Sequence, residues 1–441
     1  MTTGAPRPLK FSISGFPEYL PEHRQVEQRW LAIVAEVFSS YGYVNIETPS
    51  VEKVATLANK GEDVDKEIYA LARLNTRGEG SSEAKLALHY DLTVPFARYV
   101  ADHHQNLSFP FKRYQSQRVW RGERPQEGRY REFTQCDIDV VGNETISDFY
   151  DGEMLEVVML ALERMEVGPI LFQISSRKLL QGLGEALDVA DITSLARLLD
   201  KIGKLTEDAI HASLVADLGL SPEAATTCLK FASIRGDYPH VVARLGEIGV
   251  GGPSIEAGLG ELRGVVDHVG HAMPASFRLE IDLSIARGFD YYTGVVYEAR
   301  FIDYPRYPSI CAGGRYENLV ASFAKKSFPG VGVSIGLTRI FTKLLSEGRL
   351  PEARPSPTDV LIARLPESDA GALLALAREL RGRGMKVEVF AEAPALDKQL
   401  KYASRKKIPY VLFPFADGHQ IKAMETGVQS PFDRQSFSLG D

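Results

Sequence analysis

An α+β fold, in which an antiparallel sheet is interrupted by a run of helices and followed by a smaller α/β domain, is what this sequence predicts. Three observations carry the prediction. Strand-like segments succeed one another early in the chain without intervening helices. A Leu/Ala-rich stretch of about ninety residues then reads as helical throughout. Past a proline-rich break, short apolar runs alternate with amphipathic ones, which is the pattern of a parallel α/β sheet.

Taken in order, EHRQVEQRWLAIVAEVFSS (residues 22–40) has the spacing of an amphipathic helix. YVNIETP, KLALHYDL, KRYQSQRVW and REFTQCDIDVVG then read as strands, and HYDLTVPF is taken as the continuation of one of them. Leu180 to His271 is the helical stretch, with glycines gathered in GVGGPSIEAGLGELRG. Strand character resumes at FRLEIDLSIARGFDYYTGVVYEAR. EGRLPEARPSPTD marks a linker, since proline, glycine and charge replace apolar patterning there. Beyond it DVLIARL, LLALARELRGRG, KVEVFAE, LDKQLKYASRKK and YVLFPF alternate strand and helix in a largely parallel α/β domain. The expected organisation is therefore a core in two parts (1–180 and 272–346), a helical insertion (181–271), a linker (347–358) and a C-terminal α/β domain (359–441).

With 441 residues, 44% hydrophobic and 25% charged, the chain can bury several cores. No apolar run approaches the roughly 18 residues of a membrane span, and MTTGAPRPLKF lacks the apolar stretch of a signal peptide, so the expectation is a cytoplasmic protein with no membrane association. Cys136, Cys228 and Cys311 are far apart with no CxxC pair, which excludes a disulfide framework and a cysteine zinc site. They are expected to be reduced and buried, and no metal-binding motif is present. A net charge of −7 opposes wholesale nucleic-acid coating and leaves room for a local basic surface.

Chemistry concentrates in four stretches. In WRGERPQEGRYREFTQCDID, Arg121, Arg124, Arg129 and Arg131 surround the mouth of a hairpin. On the strand that follows, Arg131, Phe133, Gln135, Asp137 and Asp139 share one face. Guanidinium forks suit polyphosphate oxygens and a phenyl ring suits a nucleobase, while a salt-bridged sheet face is an equal reading of the same residues. ARGFDYYTGVVYEA sets Arg287 and Asp290 beside Tyr291 and Tyr292. Adjacent tyrosines point in different directions, so a site and a tyrosine-rich strand start both fit. CAGGRYENL places paired glycines by Arg315 and Tyr316. GVGVSIGLTRI spaces its glycines as in a strand pressed against a flat ligand, with Arg339 opening the next helix. Gly332 to Gly336 also matches the serine-hydrolase elbow, but only His419 follows Ser334, and the βα order of that fold is missing. No P-loop is present, so phosphate binding would rest on arginines.

These residues resemble a known family. WRGERPQEGRYREFTQ is similar to the second class signature of class II aminoacyl-tRNA synthetases. ARGFDYYTGVVYEA and CAGGRYENLV are similar to the two segments peculiar to the histidyl-tRNA synthetases. IETPSVEK, with Pro49, resembles the first class signature, HYDLTVPFARYV the histidine-binding segment, GVGVSIGLTRI the third signature and DKQLKYASRKK part of the anticodon-binding domain. The likeness spans nearly the whole chain. It departs at Thr338, which stands where the third signature usually has a glutamate.

The resemblance implies a class II antiparallel sheet core, a helical insertion and an anticodon-binding domain. It also implies an ATP-dependent ligase that makes histidyl-adenylate and transfers histidine to tRNA(His), with Mg²⁺ accompanying the ATP and a homodimer formed around IETPSVEK. Carried over by position, Arg121 and Arg287 would flank the α-phosphate. Glu123, Arg129, Phe133 and Arg339 would hold ATP, with Phe133 on the adenine. Asp91 and Thr93 would hold the substrate's ammonium. Gln135, Asp139, Tyr291 and Tyr292 would line the histidine pocket beside Arg287, and Gln126 would meet tRNA. Two alternatives share much of the pattern: the regulatory subunit of ATP phosphoribosyltransferase, a binding protein, and a histidine-activating paralogue with another acceptor. Retention of Arg287 and the C-terminal α/β domain oppose the first.

Overall fold

A computed structural model describes residues 12–58, 67–73, 85–202, 205–285, 292–317, 320, 323, 326–434 and 436–439. In chain order the strands of the first unit are β1 (Val44–Asn45), β2 (Val51–Lys53), β3 (Ala70–Leu71), β4 (Leu86–Leu88), β5 (Phe111–Trp120), β6 (Glu132–Val141), β7 (Ile170–Ser176), β8 (Arg235–Gly236), β9 (Arg278–Asp282), β10 (Val295–Phe301), β11 (Cys311–Tyr316) and β12 (Gly330–Ile335). Nine of them form one sheet in the order β1-β5-β6-β12-β11-β10-β7-β9-β8. It is antiparallel except where β1 meets β5 and β7 meets β9. The remaining three pair as β2-β4-β3.

The two longest strands, β5 and β6, follow from their alternation and are joined by the arginine-rich hairpin. Their register runs from Trp120 opposite Glu132 to Phe111 opposite Val141. One face of the sheet is closed by the helix Phe149–Arg164. Its Asp151 accepts a hydrogen bond from the Tyr297 hydroxyl (2.9 Å to the backbone oxygen) and pairs with Arg315 (3.0 Å). Tyr297 and Arg315 alternate with Glu298 and Gly314, which point to the other face. That other face carries the candidate site. Arg315 is therefore an internal anchor on the far side of the sheet.

The structure differs from the sequence reading in four places. HYDLTVPF does not continue as a strand: Thr93–His103 is a helix, and Pro95 lies in its first turn, where its missing N–H costs nothing. The stretch 181–271 contains β8, which pairs with β9 and extends the main sheet. The second unit, Glu18–Arg29 with Leu350–Asp441, draws in an N-terminal segment, because the helix Pro21–Ser40 is divided between units at Arg29 and Trp30. Finally, the second unit's sheet is mixed. β13 (Val360–Ile362), β14 (Val387–Val389) and β15 (Tyr410–Phe413) are parallel, whereas β16 (Gln420–Ala423) and β17 (Gln429–Pro431) return antiparallel. Its core is built on Leu361, Ile362, Leu376, Leu380, Val411 and Leu412. All three cysteines are buried, and none is in a disulfide. Among the described residues no helix is long and apolar enough to cross a membrane.

Candidate active site

The hairpin between β5 and β6 fixes the first group of residues. Arg121 follows the last residue of β5, its backbone N–H donates to Arg131 O (2.9 Å), and its Nε donates to Tyr90 O (3.0 Å). Its guanidinium lies 5.1 Å from the centroid of the Phe133 ring. Arg339, in the helix Leu337–Ser346, donates Nε to Gly128 O (2.7 Å) and a further N–H to Ser309 O. Burial holds its pKa below the usual arginine value. Backbone carbonyls thus set the direction of both guanidiniums without neutralising them. Arg129 instead pairs with Glu123 at 3.3 Å, and Arg131 Nε donates to Glu123 O (3.2 Å). Arg121, Glu123, Arg129, Phe133, Gln135 and Arg339 all line one cavity of about 180 Å³. Positive charge over an aromatic ring is an arrangement suited to a nucleoside polyphosphate.

A second, smaller cavity adjoins the first through Ala312 and Ser334, and takes in Thr93, Asp137, Asp139, Tyr292 and Tyr316. Asp139 is buried and is held by Arg113, fully buried, at 2.6 Å, and by the Tyr316 hydroxyl, which donates at 3.1 Å. The Arg113 guanidinium also stacks 3.9 Å from the centroid of Phe96. Asp137, two residues back on the same face, has a buried Oδ1 without a hydrogen-bond partner. Gln135 Nε2 donates to Ser334 Oγ (2.7 Å), while its Oε1 is also left open. Burial pushes the carboxyl of Asp137 up to about 6 and that of Asp139 up to about 7, with Arg113 pulling both down. Open acceptors on a buried carboxylate and a buried amide call for a ligand that brings N–H donors.

Asp137 has a consequence for stability. In the unfolded chain its carboxyl ionises near 3.8, whereas in the fold it keeps its proton up to about 6, so stability falls as pH rises through that window. Asp137→Asn, which cannot ionise, is expected to raise stability at pH 8 by on the order of 2–3 kcal/mol and to change it little near pH 4. Thermal melts at the two pH values check this. A gain that does not depend on pH counts against an ionised, uncompensated Asp137.

The structure sorts the expected residues. Arg121, Glu123, Arg129, Phe133, Gln135 and Arg339 meet in the larger cavity, and Thr93, Asp139 and Tyr292 in the smaller. Asp91 precedes the helix Thr93–His103 and accepts from Val94 N–H (3.1 Å), and its charge contributes to the raised pKa of Asp137. Gln126 is exposed at the hairpin tip, where it exchanges backbone hydrogen bonds with Arg129. Arg287 and Tyr291 lie outside the described residues. Thr338 is not idle, since its hydroxyl accepts from Thr134 N–H (2.8 Å) and ties the helix to β6.

The glycines of GVGVSIG make room for side chains of the protein itself rather than for a flat ligand. A Cβ at Gly332 would fall 2.0 Å from Asp139 Oδ1, and one at Gly330 would fall 2.6 Å from the Tyr316 ring. Arg113 was not singled out from sequence, and Asp137, Ser334 and Tyr316, though they lie in the candidate stretches, were given no role in the site. Arg113 had a usable signal: counted back from the hairpin, it falls directly opposite Asp139, an unlike-charge cross-strand pair.

Similarity to known proteins points the same way. The sequence model of the histidyl-tRNA synthetase family matches residues 15–340. A histidine–tRNA ligase of Thermobifida fusca (strain YX) is 50% identical over 429 residues, 97% of either chain. The solved structure of histidyl-tRNA synthetase from Nostoc sp. PCC 7120 superposes with a TM-score of 0.85 at 34% identity, covering 96% of this chain and 97% of that one. A Bacillus halodurans C protein described as an ATP phosphoribosyltransferase regulatory subunit/histidyl-tRNA synthetase shares the fold, with a TM-score of 0.74 at 21% identity over 92% of this chain and 99% of that one.

Proposed function

The chain belongs to the histidyl-tRNA synthetase family, and on that premise we propose that it activates L-histidine with ATP and transfers the histidyl group to tRNA(His). The observation that carries this reading is the pair of joined cavities, the larger lined by fixed guanidiniums and Phe133 and the two sharing a strand of buried open acceptors, Gln135 and Asp137. In the first step the histidine carboxylate attacks the α-phosphorus of ATP, histidyl-adenylate forms and pyrophosphate leaves. In the second a terminal ribose hydroxyl of the tRNA attacks the adenylate carbonyl and AMP leaves. A carboxylate nucleophile needs no general base. In-line positioning and charge on phosphorus are what the chain must supply.

Arg121 holds the α-phosphate, and Arg287 acts on it from the other side. Phe133 stacks on adenine, with Glu123, Arg129 and Arg339 holding the rest of ATP. Asp91 and Thr93 take the substrate's ammonium. Gln135, Asp139, Tyr291 and Tyr292 surround the imidazole, with Asp137 adding an open carboxylate oxygen beside them. Gln126 meets the tRNA from the hairpin tip. Among the described residues no cluster of three or more His, Cys, Asp or Glu side chains forms a metal cage. Mg²⁺ would arrive with ATP and neutralise phosphate charge, and Glu123, which lines the larger cavity, is a carboxylate that would help hold it.

The C-terminal residues 359–441 form the anticodon-binding domain in this reading, the stretch 181–271 is an insertion in the catalytic core, and the enzyme works in the cytoplasm. Two copies pair around IETPSVEK. On the β2-β4-β3 sheet, Val51, Leu71 and Leu86 share one face and are all exposed, an apolar surface that a second copy would cover.

The test is ATP–pyrophosphate exchange across all twenty amino acids, followed by charging of tRNA(His), with light scattering for the dimer. Exchange is expected with histidine alone, followed by charging. Exchange without charging would move the acceptor elsewhere, and no exchange would favour a binding protein.

A further inference from the structure

Between β10 and β11 the chain runs through YPRYP, Tyr304 to Pro308, whose tyrosines line neither reaction cavity. Both rings face one ammonium. Lys343 Nζ lies 4.5 Å from the ring centroid of Tyr304 and 5.2 Å from that of Tyr307. Lys343 stands four residues after Arg339 on the helix Leu337–Ser346, so the two side chains share a face of that helix. Its Nζ donates to Glu347 (2.8 Å), one turn on, and to Glu127 (3.0 Å), 216 residues earlier in the hairpin between β5 and β6. A lysine ordinarily keeps its charged end in water. This side chain is only 11% exposed, and two carboxylates and two ring faces take the place of the water it has lost.

Glu127 stands between Gln126 and Gly128 at the hairpin tip. Gly128 has a φ of 74°, which favours glycine, and its carbonyl accepts from Arg339 Nε (2.7 Å). A Cβ there would fall 3.1 Å from the Tyr307 ring, so the tip lies directly on the YPRYP segment. On the other flank, Pro125 packs against Gly15, where a Cβ would fall 2.8 Å from the proline Cγ. The tip is therefore braced on both sides of Gln126, which itself is exposed. Glu127 is 72% exposed, and an ion pair so open to water adds little stability. What the contact supplies is a fixed direction for the tip.

We propose that Lys343 is a positioning residue for the transfer step: it holds Glu127 and so keeps Gln126 turned toward the RNA. Adenylate formation does not depend on it. Arg121 is aimed by Tyr90 O, and Arg339 by Gly128 O and Ser309 O, without the ammonium. The inference rests on the proposed function, in which Gln126 meets the tRNA, and adds what holds that contact in place.

The test separates the two steps in full-length Lys343→Met, Glu127→Gln and the double variant. Lys343→Met keeps an apolar stem on the tyrosine rings and removes the charge. Each single variant is expected to pass histidine from preformed adenylate to tRNA(His) about tenfold more slowly in single turnovers, while histidine-dependent pyrophosphate exchange stays within about twofold of normal. The double variant is expected to be no slower than the single ones, since all three remove the same contact. Were Glu127 merely an exposed acid near RNA, Glu127→Gln would leave transfer unchanged or speed it by easing repulsion of phosphates. Either result overturns the inference, as do additive losses in the double variant or exchange that falls in step with transfer. Thermal melts show whether Lys343→Met is folded, and Glu127→Gln, at an exposed position, decides the matter if it is not. Exchange and charging by the unmodified protein are measured alongside. Absence of exchange sinks the proposed function, whereas normal exchange and charging, with variants that transfer at the full rate, sinks only the role of Lys343.

Discussion

Arg121→Ala is expected to lower histidine-dependent pyrophosphate exchange by about 10²–10³-fold, the usual cost of removing one preorganised charge from a transition state. Tyr90 O fixes the guanidinium at Nε and Phe133 lies 5.1 Å from it, so its remaining donors are aimed before any nucleotide enters. Arg121→Lys is expected to recover little, because an ammonium lacks the planar fork that holds the carbonyl at one edge while presenting two parallel donors to phosphate oxygens at the other. The checks are exchange at saturating ATP and histidine with circular dichroism of the variants. Near-normal exchange by a folded Arg121→Ala protein would remove this residue from the reaction.

Arg113→Ala is expected to destabilise the fold by about 3–5 kcal/mol, the range for removing one partner of a buried ion pair. Arg113 is fully buried, 2.6 Å from Asp139 and packed on Phe96. It is also the cation that draws down the carboxyls of both Asp137 and Asp139. Without it the two acids cling harder to their protons in the fold, so the loss should grow as pH rises past about 7 and shrink toward pH 4. Urea titrations at pH 5 and 8 measure this, with Arg113→Met as a control that keeps the volume. If Arg113→Ala loses the same amount at both pH values while Arg113→Met loses little at either, Phe96 packing rather than charge explains the role of Arg113.

How much of this was legible depended on distance along the chain. The hairpin and its arginines are contiguous, and β6 alternates cleanly, so Phe133, Gln135 and Asp139 could be put on one face from sequence alone. Arg339 was legible as the residue opening a helix after a glycine-rich strand. The acidic cavity was only half visible, because Arg113 and Tyr316 reach Asp139 from strands 26 and 177 residues away. The glycines of β12 were misread for the same reason: one strand does not disclose which side chain crosses it, and Asp139 and Tyr316 fill the space. HYDLTVPF deceived through β-branched residues and a proline that read as strand or turn, yet sit within a helix's first turn. β16 and β17, the second of them at the sheet's edge, are short, largely polar strands with no apolar alternation to announce them.

The division of the helix Pro21–Ser40 at Arg29 means that the C-terminal unit is not a cassette. Cutting the chain at Leu350 removes most of that unit but strands Glu18–Arg29, whose buried Val26 and Glu27 belong to it. A transplant of this unit onto another synthetase, or its production alone, must therefore carry two peptides, joined by circular permutation or supplied as complementing fragments. Exchange of such a unit between genes by a single crossover would leave each product with a mismatched seam, so this unit and the start of the core should be inherited together.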